Sequence, residues 1–540
     1  MIDFSSSVAA ISPAVLITVP MLIAFFGLMI GVGFACRKHA TDVDGFVLGG
    51  RSVGPWLTAF AFGTSYFSAV IFVGYAGQFG WNFGLASTWI GLGNAFIGSL
   101  LAWSVLGRRT RVMTQHLGSK TMPDFFEKRY DSKKLKTIAS FIVFLFLIPY
   151  TASLYNGLSS LFNNVFAIPY WLVVVIMAVL TGVYVIFGGY MATAINDFIQ
   201  GIIMLGGIIA VIAAVLMDNG GFTAAVAALS ASEHAGPQFT SLVGPSPVSL
   251  LMVVLLTSLG TWGLPQMVGK FYSIKDEGSI KKGTIISTVF AVVVAGGCYF
   301  LGGFGRLYFA DMQAAGHIAE NGTVLFDKVI PTMMRDLAPV IVALIIVLVL
   351  AASMSTLSSL VLTSSSSLTL DVVKPAVEKK SPMSEKRSVL IMRLFIVFFI
   401  TISAVIAILK DSIWKDSVFI AQMMGVSWGA LAGSFLAPFL YGLYWKKATK
   451  AAVATSFAFG TGLELIQLCI GIGWLSVEGI PVLEFVFTNS LYSGVFAMVG
   501  GLILVPIVSW CTKKTIPTAI EEKFSCYDKT VITNQKVSLG

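Results

Sequence analysis

Apolar residues in this chain run on for roughly twenty positions at a time, and charged residues gather in short stretches between the runs. A helix needs about twenty apolar residues to cross about 30 Å of hydrocarbon. The pattern predicts thirteen such spans, near 13–35, 52–77, 82–106, 137–163, 170–188, 193–217, 246–269, 283–305, 337–368, 388–409, 417–443, 451–474 and 486–510. Composition agrees with an all-α integral membrane protein. Of the 540 residues 56% are apolar and 11% charged, against about 25% charged in a soluble chain, and the mean hydropathy is +0.87. No water-soluble fold hides that much apolar surface.

The charges set an orientation. The first run has no Lys or Arg before it and is followed by Arg37 and Lys38, so it reads as an anchor with its N-terminus outside rather than a cleaved signal peptide. Of the 35 basic residues, thirty then fall on the cytoplasmic side, Lys270 counted among its loops, and five on the outer side: Arg306, Lys328, Arg335, Lys410 and Lys415. That asymmetry predicts an odd span count with the C-terminus inside. It also makes the +9 net charge a topology signal, not a nucleic-acid surface. Five scattered cysteines without a C-x-x-C pair, and four histidines in polar connections, suggest neither a disulfide framework nor a metal centre.

Within the apolar background, polar and helix-weakening residues stand out at three places. The second run contains Gly63-Thr64-Ser65-Tyr66-Phe67-Ser68, and the seventh contains Thr257-Ser258-Leu259-Gly260-Thr261-Trp262-Gly263-Leu264-Pro265. Paired interruptions five spans apart point to an inverted-repeat transporter with its site at the midplane. An unwound turn frees backbone carbonyls, natural ligands of a hard alkali cation, and leaves half-helix ends whose dipoles face an anionic group. The competing explanation is that small residues only let helices pack closely. The third place is Ala351 to Ser359, where Ser355, Ser358 and Ser359 share a face at i, i+3 and i+4 with Thr356 beside it. Those hydroxyls either converge on an ion or bond back to their own helix, as part of the run Ser364 to Ser367 would.

Two acidic residues fall in the runs. Asp197 lies about one turn inside the sixth, where it either reaches the interface or supplies the charge of a cation site. Glu464, with Gln467 one turn on, lies outside both halves and reads as a peripheral polar pair.

From Gly49 to about Lys450 the chain resembles the sodium:solute symporter family. The matching residues are Gly49-Gly50-Arg51-Ser52-Val53-Gly54, then Gly188-Gly189 with Asn196-Asp197 and Gln200, then Ala351 to Thr356, then Gly442 to Thr449. The resemblance implies a LeuT-like fold of two inverted five-helix repeats, at 52–217 and 246–443. An outer loop would span 218–245, with an extra helix before the repeats (1–51), two peripheral helices after (444–510) and a cytoplasmic tail (511–540). It implies a main sodium site from the carbonyls of Thr64, Phe67 and Ala352 and the hydroxyls of Ser355 and Thr356. Members carrying two sodium ions add a second site, which maps to Asp197, Ser355, Ser358 and Ser359.

The expectation is therefore a transporter, not an enzyme: a multi-pass symporter of the cell membrane, working as a monomer without a cofactor, with Na+ as coupling ion and a small organic solute as cargo. Ser65, Tyr66, Ser87, Thr257 and Thr261 are the candidate solute ligands, assigned from the broken helices. Proline-transporting members carry an aspartate at the position of Tyr66 and an aromatic pair at those of Thr257 and Thr261, and sialic acid transporters an arginine near that of Tyr150. Residues 195–197, and the stretch from Gly263 to Gln266 and on through Lys275-Asp276, look closest to the pantothenate and monocarboxylate branch, which points to a carboxylate. Proton coupling, an amino acid or a sugar as solute, and more remotely a membrane-embedded enzyme or a channel, are the rivals.

Overall fold

The computed structural model describes residues 13–166, 169–413, 419–517 and 519–528. Among these the chain is helical, apart from two isolated β-bridges. Ten helical runs are long and apolar enough to cross a membrane, and a bent pair, Pro247–Gly263 with Pro265–Ser273, makes eleven. The sequence predicts thirteen, and the difference has a physical origin. Two runs, Tyr170–Asp218 with 49 residues and Val70–His116 with 47, are each about twice the length one crossing needs. Both contain a left-handed glycine, Gly189 (φ 54°, ψ −146°) in the first and Gly84 (φ 62°, ψ −142°) in the second. At Gly189 a Cβ would also meet the Phe46 carbonyl oxygen at 2.9 Å, so only glycine serves there.

The two interruptions expected from composition are present and take nearly the same backbone shape. The helix Pro55–Tyr66 ends at Phe67, which is extended (φ −88°, ψ 118°). Leu264 is extended likewise (φ −83°, ψ 119°) between Gly260–Gly263 and Pro265–Ser273. At the second break the cause is explicit: Pro265 has no N–H to continue the ladder and pushes the residue before it out of the helical region. Near the first, Thr64 and Ser65 donate back to the carbonyls of Phe60 (2.9 Å) and Ala61 (2.5 Å), which loosens the helix just where it ends.

One end of each broken helix is tied to the other. Val53 N–H donates to the Ser273 carbonyl (3.1 Å) and Lys275 N–H to that of Val53 (3.0 Å). Gly49, Gly50 and Arg51, all with positive φ, turn the chain into this clamp. Arg51 tolerates a left-handed backbone because its guanidinium donates to Thr114 Oγ1, to the Tyr272 carbonyl and to the Ser119 carbonyl.

The helix Pro339–Ser367 runs through the centre, packed by Tyr170–Asp218, Lys133–Phe166, Pro13–Ala35 and Glu385–Ile413. Phe419–Tyr444 packs on Lys133–Phe166 on one side, and on the other on Lys450–Gly471 and Ser490–Cys511, which also pack on each other. Their contact is made by small residues: a Cβ on Gly433 would lie 2.4 Å from that of Ala497, and one on Gly460 2.5 Å from the Gly433 backbone. Close backbone approach of this kind takes the place of hydrophobic driving force in lipid.

Candidate functional site

Five oxygens converge where the first broken helix meets the central helix. Ser355 Oγ lies 2.9 Å from the Thr64 carbonyl oxygen and 3.1 Å from that of Ala352. Thr356 Oγ1 lies 3.2, 3.1 and 3.1 Å from the carbonyl oxygens of Thr64, Phe67 and Ala352. All five residues are buried. A hydroxyl carries one proton and each carbonyl two lone pairs, so Thr356 satisfies one of its three neighbours at a time. The cluster is rich in acceptors, poor in donors and without formal charge. These are the five residues that the resemblance nominates for the main sodium site, brought within reach of one point.

The second nominated set is divided. Ser358 Oγ donates to the Ser355 carbonyl (2.9 Å), so its proton is spent on its own helix. Ser365 and Ser366 do the same with Leu362 and Thr363. Ser359 faces elsewhere: its Oγ lies 2.8 Å from Ser65 Oγ and accepts from Lys270 Nζ at 3.0 Å. Asp197 does not reach an interface. It is buried, and its Oδ2 lies 3.6 Å from the same Lys270 ammonium, which also stands 5.3 Å from the centre of the Tyr190 ring. Lys270 belongs to the second broken helix, is 3% exposed, and is therefore no loop residue. The sequence tally placed it with the cytoplasmic charges because the seventh apolar run ends at 269. A basic residue adjoining an interrupted run was the signal available for it.

The nominated solute residues do not form one group. The side chain of Tyr66 lies outside the described residues. Ser65 joins the Ser359–Lys270 chain, and Thr257 Oγ1 bonds back to the Val253 carbonyl (2.8 Å). Ser87 sits apart, its Oγ 2.7 Å from the carbonyls of both Gly84 and Tyr299. Thr261 lines a small cavity between the broken helices with Gly63, Asn94 and Ser99, and neither end of the buried Asn94 amide has a hydrogen-bond partner. Gln266, in the first turn after the second break, is likewise buried with both amide atoms unpartnered. Sequence reasoning passed over both amides, since an uncharged side chain in an apolar run carries little signal.

A vestibule lined by Lys120, Thr121, Tyr190, Gln266, Lys270 and Ser359, among others, leads toward these groups. Asp124, which accepts from the Lys120 backbone N–H, titrates below the ordinary carboxylate range: burial opposes its charge, but Lys136 at 2.9 Å and Lys128 at 3.0 Å outweigh that. Glu464 and Gln467 lie far along the chain in Lys450–Gly471, both buried, the carboxyl against Gly429 and Ser493.

Comparison with known proteins bears on this geometry. The model of the Sodium:solute symporter family matches residues 46–459. Sodium/proline symporters of Staphylococcus aureus strains JH9 and COL are each 29% identical over 502 residues, 92% of this chain and 92% of theirs. Among solved structures, a Na+-coupled sialic acid symporter in a substrate-bound outward-open state superposes with a TM-score of 0.69 at 17% identity, covering 92% of this chain and 98% of that one. The likeness is one of transporter fold.

Proposed function

The chain belongs to the sodium:solute symporter family, and from that premise we propose that it draws a small carboxylated solute across the plasma membrane with sodium bound at the Thr356 cluster. It is a multi-pass, sodium-coupled solute transporter. The observation that carries the ion's position is the convergence of Thr64, Phe67 and Ala352 carbonyls with Ser355 and Thr356 hydroxyls. A small hard cation supplies the positive charge that two hydroxyl protons cannot give to three carbonyls at once. Because these ligands are neutral, the ion enters with its full charge, and the membrane potential contributes about 2.3 kcal/mol per charge per 100 mV.

The matching shapes of the two breaks at Phe67 and Leu264 support two inverted repeats, 52–217 and 246–443. Reading Tyr170–Asp218 and Val70–His116 as two crossings each, with the bent pair as one, gives thirteen spans. The basic-residue asymmetry then puts the N-terminus outside and the C-terminus inside. The protein works in this reading as a monomer.

For the solute, the helix Pro265–Ser273 starts at the second break with its positive dipole end there. The unpartnered Gln266 amide is beside it. Both suit a carboxylate. The curated relatives, named as sodium/proline symporters, favour an amino acid as the second reading, although Tyr66, Thr257 and Thr261 depart from the residues of proline-transporting members. Uptake into proteoliposomes at fixed pH tests both parts. Replacing sodium by choline abolishes accumulation, and accumulation that persists without sodium defeats the coupling. In competition, unlabelled monocarboxylates or pantothenate suppress uptake and sugars do not; suppression by proline above all others selects the second reading.

A further inference from the structure

Family members that carry two sodium ions use a second site, and four residues of this chain map to it. Two of them lie toward the other cluster: Ser355 Oγ belongs to the five converging oxygens, and Ser358 donates its proton to the Ser355 carbonyl. The other two, Asp197 and Ser359, hold the Lys270 ammonium at 3.6 and 3.0 Å. The hydrogen bonds around Ser359 have a fixed direction. Ser65 Oγ donates to the Ala61 carbonyl, Ser359 therefore donates to Ser65, and one of its lone pairs is taken by Lys270. Facing the ammonium are Asp197 and Tyr190 from one helix and Ser359 from the central helix; Gln266 and Tyr272 of its own helix line the same vestibule, as does Lys120, which pairs with Asp44 at 2.9 Å. Asp197 is the one anionic side chain among these neighbours of Lys270. A buried carboxylate needs one counter-charge, and Asp197 has it.

We propose that Lys270 is a tethered cation occupying the second cation position, so that this transporter binds and carries a single sodium ion. A further sodium ion at Asp197 would stand beside the ammonium, with like charges in a desolvated space, and would compete with that ammonium for the oxygens of Asp197 and Ser359. The inference rests on the sodium reading of the Thr356 cluster.

Equilibrium binding of 22Na+ to the purified full-length protein, counted per chain, tests it. Wild type binds one ion. Lys270→Gln frees the carboxylate and binds two, and the sodium dependence of uptake steepens accordingly. Asp197→Asn/Lys270→Gln, with both charges gone, returns to one. Two ions on wild type overturn the proposal, as does one ion on folded Lys270→Gln. No sodium on wild type instead overturns the reading beneath it. Should Lys270→Gln not accumulate as folded protein, the wild-type count decides alone: one ion upholds the proposal and two overturn it.

Discussion

Thr356 and Ser359 stand one turn apart on the central helix, and the polar clusters around them differ in where positive charge comes from. The Thr356 cluster is made of three carbonyls and two hydroxyls, with no charge of its own. The Ser359 cluster contains Asp197 and Lys270, a carboxylate with its counter-ion covalently attached to the chain. A neutral cage stabilises an ion only while its oxygens converge, so a shift between the broken helix and the central helix releases it. An internal pair cannot leave, whatever the helices do. Transport needs the first property, and a buried acidic residue beside the path is kept satisfied by the second.

Breaking the pair has the largest expected effect. In sodium-free buffer Asp197→Asn and Lys270→Gln each lower stability by about 3–5 kcal/mol, since each leaves one buried charge uncompensated. Thermal unfolding of the purified variants reads this. The double variant lies much closer to wild type. Sodium then separates the singles: it restores stability to Lys270→Gln, whose free carboxylate accepts an ion, and not to Asp197→Asn. Equal rescue of both would remove the distinction between the clusters.

The neutral cage responds through affinity instead. Thr356→Val keeps the shape and removes the hydroxyl that touches three carbonyls. A contact to a charged group is worth about 1.5–3 kcal/mol, so the sodium concentration for half-maximal uptake rises by about ten- to a hundredfold. Ser355→Ala behaves similarly. Ser358→Ala, two residues from Thr356, leaves that concentration unchanged because its hydroxyl meets the Ser355 carbonyl and not the three carbonyls of the cage. A shift for Ser358→Ala as large as that for Thr356→Val would mean that the cage extends further along the helix.

The same contrast separates what was legible in the sequence from what was not. Both breaks could be read from Gly63-Thr64-Ser65 and from Gly263-Leu264-Pro265, because proline and back-bonding hydroxyls act on the local backbone. The five oxygens of the cage followed from the family motif. The serines did not sort themselves: whether Ser358 bonds back or faces an ion is a rotamer choice set by packing, and i, i+3, i+4 spacing serves both. Lys270 was missed by one residue. A span ending at 269 leaves its side chain among loop charges, whereas the helix Pro265–Ser273 carries it inward to Asp197. The thirteen crossings that hydropathy predicts stand against ten or eleven among the described residues, in part because helical hydrogen bonding continues through the kink at Gly189, where hydropathy places a boundary.

Glu464 supplies the smallest effect and a control for the comparison. Like Asp197 it is a fully buried carboxyl in a membrane helix. Among the described residues no basic side chain pairs with it, and it lies against Gly429 and the hydroxyl of Ser493. With no counter-ion to strand, an amide of the same shape replaces the carboxyl at little cost, because removing both or neither member of a polar contact is nearly neutral while removing one partner is not. Glu464→Gln should therefore change stability by less than about 1 kcal/mol and leave the sodium count at one, whereas Asp197→Asn disturbs stability strongly. If Glu464→Gln instead matched Asp197→Asn, burial of a carboxyl alone would account for both residues, and the attached ammonium at Lys270 would lose its special standing.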